Sequence, residues 1–204
     1  MNRQTGAYEP EPMKETARLF IAFELPDRVL ALAKDLQARL KRHGLKMQWV
    51  RPQNMHLTVK FLGEVSQARI GDVSAALHHA ALEAAPMEVC AQGLGVFPGM
   101  RQPRVLWFGL GGQVDLLGEA CQHLEDALAA KSFARERRPF RPHLTLARIK
   151  QAVDPALLLE GIQTVGRYDP VGFRLTEWVL FQSDLKPQGA IYTALDRATL
   201  AQGA

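Results

Sequence analysis

The sequence predicts an α+β fold with antiparallel or mixed sheets and helices interspersed among the strands. Several strand-like segments follow one another across short Pro- and Gly-containing turns, whereas a doubly wound parallel sheet needs a long crossover after each strand. Hydrophobic residues make up 47% of the 204 residues, which is ample for a buried core without disulfide or metal cross-links. A repeated nine-residue segment further indicates two related halves.

The chain is predicted to begin with a strand and a helix. Residues 18–24 (RLFIAFE) form a short apolar run of strand formers that ends at a proline. Aliphatic residues then recur at helical spacing from Asp27, the expected N-cap, to Gly44, which is expected to stop the helix. Residues 46–50 are expected to be extended.

A second strand and helix follow. Residues 55–63 (MHLTVKFLG) alternate between apolar and polar, which places His56, Thr58 and Lys60 on one face of the predicted strand. From Ser66 the apolar spacing returns to that of a helix, through residue 81.

The second half of the chain is predicted to contain more strands and one helix. Its turns are marked by PGMRQP and PQG, and a basic loop, ARERRPFRP, precedes one of the strands. The predicted segments are strands at 87–97 and 104–110, a helix at 114–130, and strands at 143–149 (HLTLARI), 173–182 and 190–196.

The internal repeat is the most informative feature of the sequence. Residues 51–59 (RPQNMHLTV) and 138–146 (RPFRPHLTL) share the frame RPxxxHLT followed by an aliphatic residue, 87 residues apart. A shuffled sequence of this composition would contain about 0.03 His-Leu-Thr triplets, so two copies in one frame are not chance. We infer two lobes that face each other and place equivalent residues on opposite walls of one cleft.

Each triplet presents one imidazole and one hydroxyl to the same space, because the His and Thr of a strand share a face. Two facing imidazoles can hold one neutral and one protonated form near neutral pH. In-line opening of a cyclic phosphodiester needs such a base and acid on opposite sides of the phosphorus atom. His56 and His143 are therefore the predicted catalytic residues.

The phosphoryl oxygens need hydrogen-bond donors, for which Thr58, Thr145 and Arg148 are the candidates. Arg148 lies five residues beyond His143, so strict alternation would turn it to the opposite face. A bulge or strand end near Ala147 is required to bring it into the site.

Other classes of site are disfavoured. Thr is a poor metal ligand and no Asp, Glu or Cys stands at ligand spacing beside either His, so we expect neither a metal nor another cofactor. The two cysteines show no disulfide or zinc spacing, and no segment has the length and apolarity of a membrane span. We expect a cytoplasmic monomer with a flexible tail over residues 1–15 and a single bilobal domain over residues 16–204.

A net charge of +4 favours a polyanionic partner. Basic residues precede the second triplet and flank the PGMRQP turn, which suggests contacts with a phosphate backbone, although a solvated loop would have the same composition. Aromatic residues in the strands could stack a terminal base. The candidate RNA contacts are Phe23, Arg101, Arg104, Arg138, Arg141 and Tyr192, with Trp107 as a further candidate for stacking.

On these residues the sequence resembles the 2H phosphoesterase superfamily, and within it the bacterial RNA 2′,3′-cyclic phosphodiesterases once named 2′-5′ RNA ligases. Paired His-x-Thr motifs define the superfamily. The segments ARLFIAFELP, NMHLTVKFLGEV, PRVLWFGL, RPFRPHLTLARI and SDLKPQGAIYTAL follow in family order over nearly the whole chain.

The resemblance implies a two-lobed α+β fold with pseudo-twofold symmetry and outer helices. It also implies metal-independent hydrolysis of an RNA 2′,3′-cyclic phosphate to a 2′-phosphate. In that scheme His56 is the general acid that protonates the leaving 3′ oxygen, and His143 is the base that activates water. Thr58 and Thr145 bind the phosphate, and Arg148 matches a family arginine.

Two alternatives stay open. The same site could act on 2′-5′-linked RNA, by cleavage or ligation, or on a cyclic phosphate of ADP-ribose. The chain could also be a catalytically idle module that binds RNA ends.

Overall fold

The computed structural model describes residues 15–187 and 189–201. The predicted flexible tail lies outside these residues except for Glu15. The described chain forms nine strands in two antiparallel sheets together with four α-helices, which confirms the predicted α+β class. One main hydrophobic core contains residues of both sheets. That residues 16–204 form one bilobal domain stays a prediction.

Sheet A carries the first His-Leu-Thr triplet, and its outer strand β3 begins directly after His56. All its neighbouring strands are antiparallel. Across the sheet, the strands are β3 (Leu57–Ser66), β1 (Thr16–Phe23), β8 (Glu177–Lys186) and β9 (Gly189–Thr199).

Sheet B carries the second triplet, on a strand next to its edge. Its neighbouring strands are also antiparallel. Across the sheet, the strands are β2 (Gln48–Trp49), β6 (His143–Arg148), β5 (Val105–Gly112), β4 (Met87–Phe97) and β7 (Val171–Leu175).

The helices are α1 (Asp27–Arg42), α2 (Ile70–Leu82), α3 (Val114–Ala130) and α4 (Pro155–Val165). α1 packs against α4 and β7, whereas α2 packs against α3, β8 and β9. The buried side chain of Gln37 in α1 donates hydrogen bonds to the carbonyl oxygens of Val50 (2.7 Å) and Leu146 (2.9 Å). It therefore joins the segment before the first triplet to the strand of the second.

Strand β1 is buried on both faces. Leu19, Ile21 and Phe23 belong to the main core, whereas Phe20 and Ala22 point to the opposite face because side chains alternate along a strand. On that face they pack with Val179, Phe181 and Tyr192. The ring of His56 packs against this second cluster.

The structure corrects several predicted elements. The helix predicted from Ser66 begins only at Ile70, because β3 runs on to Ser66 and a 3₁₀ turn, Gln67–Arg69, follows it.

Helix α4 was not predicted, although Asp154 accepts a hydrogen bond from the Ala156 N–H as an N-cap and Pro155 opens the first turn. The predicted strand at 173–182 is two strands: β7 belongs to sheet B and β8 to sheet A. The chain passes from one sheet to the other at Thr176.

Candidate active site

The two triplets meet in one pocket of about 250 Å³. Its walls contain the five residues predicted to act on the phosphate. Two of them come from the start of β3 and the residue before it, and three come from β6. Residues 48–51 and the start of β9 also line the pocket. The five are His56, Thr58, His143, Thr145 and Arg148, and they share the pocket with Arg51, Asn54 and Tyr192 among others.

A short 3₁₀ turn, Pro52–Asn54, aims the first histidine. The Asn54 side chain donates a hydrogen bond of 2.8 Å to the carbonyl oxygen of Ala190 in β9, and Met55 is buried in the core. His56 therefore enters the pocket from a segment fixed at both ends, and β3 starts two residues later than predicted, at Leu57.

The second histidine is oriented by its own backbone. His143 Nδ1 lies 2.7 Å from the carbonyl oxygen of Arg141, two residues earlier. Because a carbonyl oxygen only accepts, Nδ1 must carry the proton, which leaves Nε2 to exchange protons with a ligand. His56 has the equivalent hydrogen bond to the backbone of Asn54, also two residues earlier.

Aromatic rings hold both imidazoles in place. The ring of His56 stacks on Phe20 with centroids 4.7 Å apart, and the edge of Tyr192 contacts it at 5.2 Å. On the other wall, His143 makes an edge contact with Phe97 at 4.9 Å and a longer one with Trp107. Each histidine thus has an aromatic support from its own sheet.

A bulge in β6 brings Arg148 into the pocket, as the sequence required. β5 pairs Leu106 with Ala147 and Trp107 with Thr145, so Leu146 is the extra residue. Leu146 and Ala147 are consecutively buried, and alternation then resumes with Arg148 on the face of His143 and Thr145.

The electrostatic environment of His56 favours its neutral form. The pKa of His56 is lowered to about 4, chiefly by burial and also by the positive charge of Arg148, against the raising effect of the hydrogen bond to Asn54. In the ligand-free pocket, therefore, His56 is not charged at neutral pH. An anion between the two walls would raise the pKa again, because its negative charge attracts the protonated imidazole.

Of the predicted RNA contacts, only Tyr192 lines this pocket. Arg101, Arg104 and Arg141 are exposed outside its lining, and Arg138 is exposed on the border of a second cleft. Trp107 packs against Phe97 on the sheet B wall.

The expectation for Phe23 is corrected. Its side chain is 1% exposed and packs near Trp178 in the main core, because β1 points odd-numbered residues inward. Phe20, three residues earlier, is the β1 ring that reaches the histidine. Sequence alternation alone could not decide between the two faces of a strand that is apolar on both.

Sequence reasoning also missed Arg51 and Asn54, which line the pocket just before the first triplet. Arg51 stands at a matched position of the repeated RPxxxHLT frame, so the repeat was a signal for it, whereas Asn54 stands at an unmatched position.

Among the described residues, no group of three or more His, Cys, Asp or Glu side chains is placed to hold a metal ion. No helix in this part of the chain is long and apolar enough to span a membrane.

The chain matches the family model described as LigT like Phosphoesterase over residues 19–107 and 112–192. The RNA 2′,3′-cyclic phosphodiesterase of Aeropyrum pernix is 33% identical over 160 residues, which cover 78% of this chain and 90% of the relative.

Solved structures are similar to this chain over most of its length. A Thermus thermophilus protein has a TM-score of 0.74 at 28% identity, over 92% of this chain and 100% of its own. E. coli LigT complexed with 3′-AMP has a TM-score of 0.70 at 25% identity, over 92% of this chain and 100% of its own. These matches confirm the resemblance drawn from the paired triplets, and the chain belongs to the LigT like phosphoesterase family.

Proposed function

We propose that the protein hydrolyses the 2′,3′-cyclic phosphate at the end of an RNA to a 2′-phosphomonoester, by metal-independent general acid–base catalysis. The observation that carries the proposal is the convergence of His56 and His143, each with its threonine, on one pocket. The relatives named RNA 2′,3′-cyclic phosphodiesterase support the same activity.

In this mechanism the phosphorus atom lies between the two walls. His143 Nε2 takes a proton from a water molecule as its oxygen attacks phosphorus, in line with the bond to the 3′ oxygen. That bond breaks, His56 gives its proton to the leaving 3′ oxygen, and the bond to the 2′ oxygen remains. The product is a 3′ hydroxyl beside a 2′-phosphate.

The negative charge that builds on the phosphoryl oxygens needs donors that are already in place. We assign this role to the hydroxyls of Thr58 and Thr145 and to the guanidinium of Arg148. The bulge at Leu146 supports this assignment for Arg148, because without it the side chain would point into the core side of β6.

The acid role of His56 requires the substrate. With a pKa of about 4, only about one molecule in a thousand carries the proton at pH 7 in the empty pocket. The anionic phosphodiester raises this pKa by direct charge attraction. Substrate binding and protonation of His56 are therefore coupled in the proposed mechanism.

RNA outside the pocket would contact exposed cations around it. We assign this role to Arg101, Arg104, Arg138 and Arg141, and contact with the terminal nucleotide to Tyr192. Arg101 and Arg104 are exposed between β4 and β5, Arg141 is exposed two residues before β6, and Arg138 is exposed on the border of the second cleft.

The test is to incubate the protein with a synthetic oligonucleotide that ends in a 2′,3′-cyclic phosphate and to identify the product by ³¹P NMR. We expect a 2′-phosphomonoester at an unchanged rate in EDTA. A 3′-phosphomonoester would contradict the assignment of the two histidines, and inhibition by EDTA that a divalent metal reverses would contradict the metal-independent mechanism. Cleavage of a 2′-5′-linked dinucleotide in preference to the cyclic end would favour the alternative substrate.

A further inference from the structure

A second cleft of about 430 Å³ lies between the edge strand β3 and the loop before β6. We propose that this cleft binds the single-stranded RNA segment that precedes the cyclic phosphate, so that the natural substrate is an oligonucleotide rather than a cyclic mononucleotide. The inference rests on the proposed function, which places the cyclic end in the first pocket. The cleft is lined by Lys60, Phe61, Leu62 and residues 133–138.

Phe61, which lines the second cleft, lies on the active-site face of sheet A. β1 pairs Ala22 with Thr58 and Phe20 with Phe61, so Val59 is an extra residue and Thr58 and Phe61 share a face. Three residues of strand correspond to about 10 Å. Stacked nucleotides advance by about 3.4 Å each, so the cleft lies about two or three nucleotides from the phosphate that Thr58 would bind.

The composition of the cleft fits a nucleic acid strand. Arg135, Arg137 and Arg138 stand on its loop side, and Phe61 is 49% exposed with the guanidinium of Arg18 at 4.7 Å from its ring centroid. Cations along a groove contact successive phosphates, and exposed rings accept bases without sequence preference. Two of the arginines have acidic neighbours, Asp126 and Glu136, which are exposed and exchangeable for phosphate.

The loop wall is fixed before any ligand arrives. The ammonium group of Lys60, 5% exposed, donates to both carboxylate oxygens of Glu125 and to the carbonyl oxygen of Ala134, at 2.7 to 2.8 Å. Glu125 also accepts from the backbone N–H of Glu136. Further along, Arg69 donates to the carbonyl oxygen of Lys131, and its guanidinium lies 4.1 Å from the centroid of Phe133.

These contacts hold the three arginines beside β3 before RNA binds, so that no binding free energy is lost to ordering the loop. The cleft is therefore a preformed groove with charge on one side and an exposed ring at its active-site end.

The test compares a hexanucleotide that ends in a 2′,3′-cyclic phosphate with the cyclic mononucleotide. The double variant Arg135→Gln/Arg137→Gln removes two exposed charges from the cleft. Its control, Lys34→Gln/Arg174→Gln, makes the same change in net charge on α1 and on β7, the far edge of sheet B. Thermal unfolding checks that both variants fold.

We expect kcat/KM on the hexanucleotide to fall by about tenfold in the cleft variant, while kcat/KM on the mononucleotide changes by less than about twofold. The slope of log affinity for the hexanucleotide against log salt should decrease in magnitude by about 1.4, or about 0.7 for each lost phosphate contact. Equal losses on the two substrates, or an equal loss in the control variant, would overturn the inference.

The two proposals fail in different ways. If the wild-type protein opens neither substrate, the proposed function is wrong, and the fluorescence anisotropy of a labelled hexanucleotide still decides the cleft by the same salt slope. If it opens both with equal kcat/KM and the cleft variant binds RNA as the wild type does, the cleft inference is wrong and the proposed function stands.

Discussion

A phosphate ligand should raise the pKa of His56 by a large and measurable amount. In the empty pocket burial against Phe20, together with the charge of Arg148, holds this pKa at about 4. A unit negative charge about 4 Å from the ring, at an effective dielectric constant of about 20, contributes about 4 kcal/mol. This energy corresponds to about a thousandfold increase in proton affinity, which is enough to populate the protonated form at neutral pH.

The assay is an NMR titration of the imidazole Cε1–H signals, with and without saturating inorganic phosphate. The variant His56→Asn assigns the signal of that ring. We expect His56 to titrate near its ligand-free pKa without phosphate and close to neutrality with it. If His56 stays neutral at pH 7 in the phosphate complex, it cannot be the acid of the proposed mechanism, and the acid must be sought on the other wall.

Three further results are expected. Arg148→Met should weaken phosphate binding by about 10- to 100-fold, as measured by calorimetry, because it removes a charge-assisted hydrogen bond; unchanged affinity would exclude Arg148 from the phosphate site. Lys60→Met should reduce the free energy of unfolding in urea by about 3 kcal/mol, because the half-buried Glu125 carboxylate loses its cation and keeps only the Glu136 N–H among the described residues, and Lys60→Met/Glu125→Leu should recover most of that loss; a single variant as stable as the wild type would refute this. Between pH 6.5 and 4 the unfolded chain binds a proton at His56 that the folded protein does not bind. The free energy of unfolding is therefore highest above pH 6.5 and falls by about 3 kcal/mol as the pH falls toward 4. His56→Asn should remove that part of the pH dependence.

The residues of the candidate site could be predicted from the sequence because its signal is duplicated. Period-2 alternation gives the shared face of a His and a Thr, and the repeat gives the second wall. The same alternation showed that Arg148 needed a bulge, and the structure has one at Leu146, one residue before the predicted position. Strand alternation and the internal repeat were therefore sufficient to predict which of these side chains share a pocket.

The faces of β1 and β3 could not be predicted in the same way. β1 is apolar on both sides, so its sequence could not tell the core side of Phe23 from the pocket side of Phe20. In β3 the bulge at Val59 reverses the alternation, so Lys60 points to Glu125 instead of sharing the face of Thr58. No glycine or proline at residues 58–60 marks that bulge in the sequence.

The passage of the chain from sheet B to sheet A could not be predicted from the sequence either. Residues 173–182 are a continuous run of strand formers, and the change from sheet B to sheet A at Thr176 depends on which edges are free to pair. Helix α4, in contrast, has an Asp-Pro start that is a recognisable helix signal.

The proposed catalysis depends on two imidazoles that act on one phosphorus atom. The most direct measurement is kcat on an RNA 2′,3′-cyclic phosphate for His56→Asn and His143→Asn, with His79→Asn, an exposed histidine on α2, as the control. We expect each pocket variant to lose between about 10²- and 10⁴-fold while the control stays at the wild-type rate and all three keep the wild-type unfolding temperature. Either pocket variant retaining more than about a tenth of the wild-type rate would contradict the account.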